Sequence, residues 1–495
     1  MSLLSLPNEL VEQVVEEAFP EDLKSVMLSC RRLHDVGMRY IEFYNAQRSR
    51  FGKLRIHAGC DISWLADLAK EPTIPSYITM LDLQGTRRLD KSRPMLCAKE
   101  IRPHVEALVG RSPYMASNGV DQGFWVKNIM GLARVLEYID TETLGLSSWD
   151  PSTSMVPVLM YMTLFPNVTH LTLPWIRVSP IPITSLHDDD RYEQEQCDIV
   201  FDAISQQARS YRGCGALSKL RYLFYQIPGS PEVYSLIQVI LPYITLPALE
   251  ELHAKSLLAI EINEFQFQLA PVKWLQPDAY SNLQTICFRH CCMSAIGISK
   301  ILAHTPRLTT FRHGHEMKYD TGRSYEVFWD AGAFVAAVEK HVGAHLRHLT
   351  VEIEGSGADG ILEDVTTMHG FTKLETLELD LEVLTGNSQF MLRNTPVRPL
   401  SEILPPCIRR FALLGKMEGE DDYGRMDVAV ELYRGFKSVY RSRLPNLDSY
   451  SVRFYSILDD KRKLLRKEQK SAFEAEAVVV SWGFGGVLAV FMIGS

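Results

Sequence analysis

The segment "CFRHCC", Cys287 to Cys292, places three thiols and the imidazole of His290 within six residues. Thiolate and neutral imidazole are zinc ligands, so the composition invites a metal site. The spacing argues against one. Cys287 falls between Ile286 and Phe288, and the alternation of side chains along a strand sends the sulfurs to different faces. A second candidate, "HGH" at His313 to His315, offers two imidazoles without a third ligand and reads as a turn after a strand. Asn167-Val168-Thr169 is a glycosylation sequon, but it overlaps an apolar strand and is expected to stay unmodified. No phosphate loop, dinucleotide fingerprint, zincin helix or nucleophile elbow occurs. We therefore expect no catalytic residues, no cofactor and no metal, and hence no enzyme.

The elements around these residues repeat. One phrase recurs along the chain: apolar, two variable residues, apolar, one variable, apolar. It appears as "ITMLDL" from Ile78, "VTHLTL" from Val168, "LRYLFY" from Leu220, "LEELHA" from Leu249 and "LQTICF" from Leu283. It continues as "LTTFRH" from Leu308, "LRHLTV" from Leu346, "LETLEL" from Leu374, "IRRFAL" from Ile408 and "LDSYSV" from Leu447. Turn signals built on proline and asparagine precede several copies. The fullest copy, Leu283 to Met293, follows the leucine-rich-repeat pattern, with Cys291 in the Asn/Cys slot. After Leu220 the copies are 25 to 39 residues apart, long enough for a helix between strands. One strand and one helix per unit stack into a solenoid.

The expected fold class is thus α/β: a divergent leucine-rich-repeat solenoid over about 75–482, with a curved parallel sheet inside and helices outside. A helical insertion is expected at about 86–165, with helices near Phe124 to Tyr138 and Met155 to Phe165. The acidic stretch "HDDDRYEQEQCD" reads as a loop before a helix near Ile199 to Ser210. Residues 49–74 read as a helical linker and 483–495 as an apolar tail. The uncharged run from Ala477 to Ser495 is near the lower length limit for a membrane span. Its glycines and β-branched residues favour a buried strand that closes the solenoid, after a helix near Lys461 to Ala475.

The chain has 495 residues, a hydrophobic fraction of 46% and a net charge of −8. Such an acidic balance argues against nucleic-acid partners, whose phosphates must be neutralised by Lys and Arg. Nine cysteines show no regular pairing, and Met1 to Leu10 carries Glu9 in place of a basic signal region. Reduced thiols and a cytoplasmic or nuclear location are expected, with membrane association not expected.

Ahead of the repeats, residues 1–48 form a helical module. Pro7 suits a first helical turn, and Leu6, Leu10 and Val14 draw an apolar stripe along a helix too short to stand alone. Asp22 is placed to cap a second helix carrying Leu23, Val26 and Cys30, and a third follows. This succession resembles the F-box motif at Leu6, Pro7, Glu9, Leu10, Val14, Leu23, Val26, Cys30, Arg31 and Leu33, over about forty residues. Tyr40, Phe43 and Tyr44 stand where the motif usually ends in tryptophan. The whole chain looks like the fungal-type F-box and leucine-rich-repeat proteins. That resemblance implies the substrate receptor of a Skp–cullin–F-box ubiquitin ligase. Leu6, Pro7, Glu9, Leu10, Val14, Leu23, Val26, Cys30 and Leu33 would contact the Skp adaptor, and through it cullin, while the solenoid would hold an unidentified protein substrate. An interaction scaffold uncoupled from ubiquitination, or one tethered by its tail, is the alternative.

In such a repeat the residues between the apolar positions project from the concave face. These are Tyr222 and Phe224, then His253 and Lys255, then Arg289, Arg312, Glu352, Glu378, Asp380 and Arg453. Tyr222, Phe224, His253, Arg289, Arg312, Glu378 and Asp380 are the candidate substrate contacts. Arg289 and Arg312 could grip an acidic segment together, or each could pair with Glu352 or Glu378.

Overall fold

The computed structural model describes residues 5–19, 23–56, 62–84, 97–117, 119–138, 154–175, 188–210, 215–227, 234–259, 280–318, 329–354, 364–386, 398–417, 428, 432, 440–456, 479–483 and 486–492. Asp22 and the helix expected near Lys461 to Ala475 lie outside them. The chain divides into two units, Met1–Gln226 with Leu246–Leu249, and Ile227–Thr245 with Glu250–Ser495.

The first unit opens with α1 (Asn8–Glu17), α2 (Leu23–Ser29) and α3 (Arg31–Phe51). Each is amphipathic, and together they close a core of Val11, Val15, Leu23, Met27 and Leu33. Cys30 caps α3, its sulfur accepting the Leu33 N–H at 3.5 Å. Arg32 reaches back to the entry of α1, donating to the Leu6 carbonyl at 2.6 Å and to Asn8 Oδ1 at 2.7 Å. At the far end Phe19 packs among Tyr40, Phe43 and Tyr44, with centroids 5.8 to 6.3 Å away.

The helix α3 runs straight into β1 (Lys53–Arg55), which pairs in parallel with β2 (Met80–Asp82). The segment expected as a helical linker therefore begins with a strand, followed by α4 (Ser63–Lys70) and α5 (Ile74–Tyr77). "FGKLRI", from Phe51 to Ile56, obeys the repeat phrase, so the sheet starts one strand earlier than its first recognised copy. Parallel strands β3 (His170–Leu173) and β4 (Tyr222–Tyr225) continue it. Leu54, Leu81, Leu171 and Leu223 stand in register as one buried row.

Among the described residues between β2 and β3, helices stand near both expected positions, Phe124 to Tyr138 and Met155 to Phe165. That stretch holds α6 (Ala98–Arg111), α7 (Gln122–Tyr138) and α8 (Met155–Leu164). Every residue of α8 from Val156 to Thr163 is buried, as befits a helix apolar on all sides. The acidic stretch expected as a loop is instead the first half of α9 (Asp188–Arg209). Tertiary contacts override its polar composition: buried Gln196 accepts the Asp121 N–H at 2.8 Å and donates to the Gly119 carbonyl at 3.2 Å. Asn167 of the sequon is likewise occupied, donating to the Ser76 carbonyl at 2.7 Å and accepting from Lys219 Nζ at 2.6 Å.

In the second unit, β6 (Glu251–Lys255), β8 (Thr285–Met293), β9 (Thr310–His315), β10 (His348–Ile353), β11 (Thr376–Asp380), β12 (Arg410–Met417) and β13 (Ser449–Ser456) form a parallel sheet in that order. Leu252, Ile286, Phe311, Leu349, Leu377, Phe411 and Tyr450 are its in-register buried row. Helices α11 (Ala295–Leu302) and α12 (Ala331–Val342) lie on that side, with Phe334 of α12 6.3 Å from Phe311. Ser294 and Asp330 start them, each accepting a backbone N–H of the first turn. A short pair, β5 (Ser235–Leu236) and β7 (Leu257–Ala259), with α10 (Leu241–Ile244) between them in the chain, extends the end of β8.

The apolar C-terminal run forms strands. β15 (Gly486–Met492) pairs antiparallel with β13, and β14 (Val479–Gly483) pairs antiparallel with β15. Much of the expected apolar tail is therefore part of the sheet. Among the described residues no helix is long and apolar enough to cross a membrane.

Candidate functional site

Residues flanking each buried row project from the opposite face of the sheet. In the first unit, Met80, His170 and Tyr222 stand in register on β2, β3 and β4. The Tyr222 ring stacks on His170, 4.3 Å between centroids and 21° between planes. Asp82, Thr172 and Phe224 form the next row. Arg55 Nε lies 3.0 Å from Asp82 Oδ2. The sequence reading named Tyr222 and Phe224 but missed Met80 and His170, which hold the same phrase position as Tyr222.

In the second unit the face is charged and internally paired. His253 Nε2 sits 3.3 Å from Glu251 Oε2. Cys287, Arg312, Thr350, Glu378, Ala412 and Ser451 form one in-register row across six strands. Arg312 donates to Glu352 Oε1 from Nε at 3.0 Å and from Nη2 at 2.9 Å. Burial raises the Glu352 pKa; the Arg312 charge opposes that rise and the Glu354 charge adds to it. Burial also works against the charge of Arg312, but Glu352 outweighs it and raises the arginine's pKa. Glu378 accepts from Thr350 Oγ1 at 3.2 Å and Arg453 Nη1 at 2.9 Å.

Arg289 keeps the alternation, exposed and in register with Lys255, and a β-bulge between Phe288 and Cys291 breaks it just after, with His290 at φ 51°. Arg289 there binds Glu354, which also accepts the His290 N–H, and lies 3.6 Å from Glu352. Both arginines of the expected grip thus hold the protein's own carboxylates. The Asp380 expectation is corrected too. The strand ends there, and buried Asp380 caps α13 (Leu381–Thr385), accepting the Glu382 N–H at 3.1 Å.

Behind the bulge lies a cluster the sequence did not reveal. Buried Lys318 pairs with Glu316 and lies 3.4 Å from Ser256 Oγ, while His290 Nδ1 is 3.4 Å from Glu316 Oε1. Burial opposes ionisation of Glu316, but the hydrogen bonds from His290 and Lys318 prevail and lower its pKa. Nothing periodic marks "EMK" in the chain, so only the folded arrangement exposes this pairing.

The histidines of "HGH" lie on β9 itself and are buried, which corrects the turn assignment. His315 stacks on Trp329 at 4.0 Å and 9°, and His313 lies 4.5 Å from Phe334. Burial drives the His313 pKa down to about 3. The His315 pKa falls well below the ordinary value through burial, with the charges of His313 and Lys318 adding to the shift. Both rings are therefore neutral.

The thiols diverge, but not by alternation, which would have put Cys287 and Cys291 on one face; the bulge between Phe288 and Cys291 turns Cys291 inward. Cys287 is half-exposed on the open face, whereas Cys291 and Cys292 are buried. Cys291 Sγ accepts the Leu257 N–H at 3.3 Å, filling the ladder slot of the repeat. Burial pushes the Cys291 thiol up and the Cys292 thiol to about 12, so neither is a thiolate at neutral pH. Among the described residues, no group of three or more His, Cys, Asp or Glu is placed to hold a metal ion.

In the N-terminal module, Leu23 and Leu33 lie within the core and hold the helices together. Cys30 is the cap of α3 and Val26 packs against the core, both half-buried. Pro7, Glu9 and Leu10 are exposed, and Leu6 and Val14 are half-buried. No family model matches this chain, and no curated protein matches it.

Proposed function

We propose that this protein is the substrate-recognition subunit of a Skp–cullin–F-box ubiquitin ligase. Helices α1 to α3 dock on the Skp adaptor, and the repeat strands build a leucine-rich-repeat solenoid whose open face holds the target protein. One observation carries this reading. The module closes its core with Val11 and Val15 on the inner face of α1, yet Leu10, Leu28, Met38 and Phe43 remain 43%, 74%, 42% and 52% exposed. Large apolar side chains left outside a completed core are available for a partner to cover, and this supports the reading. On the solenoid, the stacked His170–Tyr222 pair beside Met80 and Phe224 supplies the aromatic anchors that protein interfaces favour.

The test is co-expression with a Skp adaptor, comparing the wild type with Leu10→Asp. An aspartate at this exposed position should leave the fold intact and abolish co-purification. Leu23→Asp, in the core, should instead unfold the module. Retained adaptor binding by a folded Leu10→Asp protein would remove the basis of the assignment.

A further inference from the structure

Between α6 and α7 of the first unit lies a groove of about 340 Å³. Val109 and Met130, both buried, form its apolar floor, and Arg102, Glu106, Lys127 and Arg134 stand around it. Arg102 Nη1 is 3.2 Å from Glu106 Oε1, which pairs one cation with the groove's carboxylate. Among the described residues, Lys127 and Arg134 make no ion pair. The groove is thus net positive on a chain whose net charge is −8. A chain already acidic does not need such a cluster for solubility, and the cluster selects for a negative ligand.

The spacing describes that ligand further. Lys127 and Arg134 are seven residues apart on α7, two turns or roughly 10.5 Å along the axis, with Met130 on the same face between them. A cleft between two packed helices is the shape that accepts a third helix, its side-chain ridge lying in the groove. We propose that this groove docks an acidic amphipathic helix of a partner protein. Two carboxylates of that helix, two turns apart, meet Lys127 and Arg134, and the apolar side chains between them enter the groove beside half-buried Val126. The site is independent of the adaptor-binding module and of the open face of the sheet.

The probe is a fluorescent alanine-based helical peptide with two glutamates two turns apart and two leucines between them, titrated into the full-length protein. Its control carries lysine in place of both glutamates. The glutamate peptide should bind saturably and weaken as salt rises. K127E/R134E should lose roughly tenfold in affinity for it and gain affinity for the lysine peptide. K127Q/R134Q, which adds no repulsion, should fall between the two and covers the case in which the reversal disturbs folding. The proposal is overturned if the wild type shows no saturable binding, if both peptides bind it equally, or if folded variants bind as the wild type does.

Discussion

Arg453 reaches across an entire strand to Glu378, placing Nη1 2.9 Å from Oε1. Ala412 of the intervening strand, in register with Glu378, is only 5% exposed. A short side chain at that position gives the arginine its path, and a longer one would block it. Both partners retain some solvent contact, so the bridge contributes modestly. A double-mutant cycle of Arg453→Ala and Glu378→Ala should give a coupling of about 0.5–1 kcal/mol in urea unfolding, diminished by salt. A coupling of zero at low salt would show that the bridge is not formed in solution.

The two buried histidines should make stability depend on pH. In the unfolded chain each protonates near the ordinary value of 6.5, while in the folded protein His313 resists down to about 3. The unfolded state then binds more protons between those limits, so stability is full above about 6.5 and falls as pH drops. Each such histidine contributes a slope of about 1.4 kcal/mol per pH unit inside the window. His313→Phe should flatten the loss measured between pH 7.5 and 5.5 by denaturant titration. Glu352, whose pKa is raised, acts with the opposite sign and is unaffected by that substitution.

Gly297 lies where α11 meets the backbone of β7. A methyl group added there would collide with the carbonyl oxygen of Ala259, which cannot swing aside as a side chain can. Gly297→Ala should therefore destabilise the second unit by about 1–3 kcal/mol, despite alanine's better helix propensity. Thermal unfolding that is unchanged or improved would contradict this.

The C-terminal strands cover the edge of β13. Deleting residues 479–495 should leave that edge unpaired, and an exposed strand edge templates association with other chains. Gel filtration of the truncated protein should show oligomers or aggregate where the full chain elutes as a discrete species. A truncated protein that elutes like the full-length chain would show that the strands are dispensable for closure.

The repeated strands were legible in the chain because side-chain alternation is a local property. Each copy of the phrase became a strand, and the buried row from Leu252 to Tyr450 is its fourth position read across neighbours. The same parity contained more than was first taken from it. "FGKLRI" was an unread copy, and His313 occupies the sixth, apolar position of "LTTFRH", where burial follows directly. The partners of the charged residues were not legible. Arg312 meets Glu352 because β9 and β10 pair in a particular register, Cys291 turns inward because a bulge breaks the alternation after Arg289, and Asp380 leaves the face because a helix begins beside it. Register, bulges and helix starts arise from contacts between segments far apart in the chain. Periodicity within one segment therefore locates a strand's faces, while only the packed neighbours decide which charges meet on them.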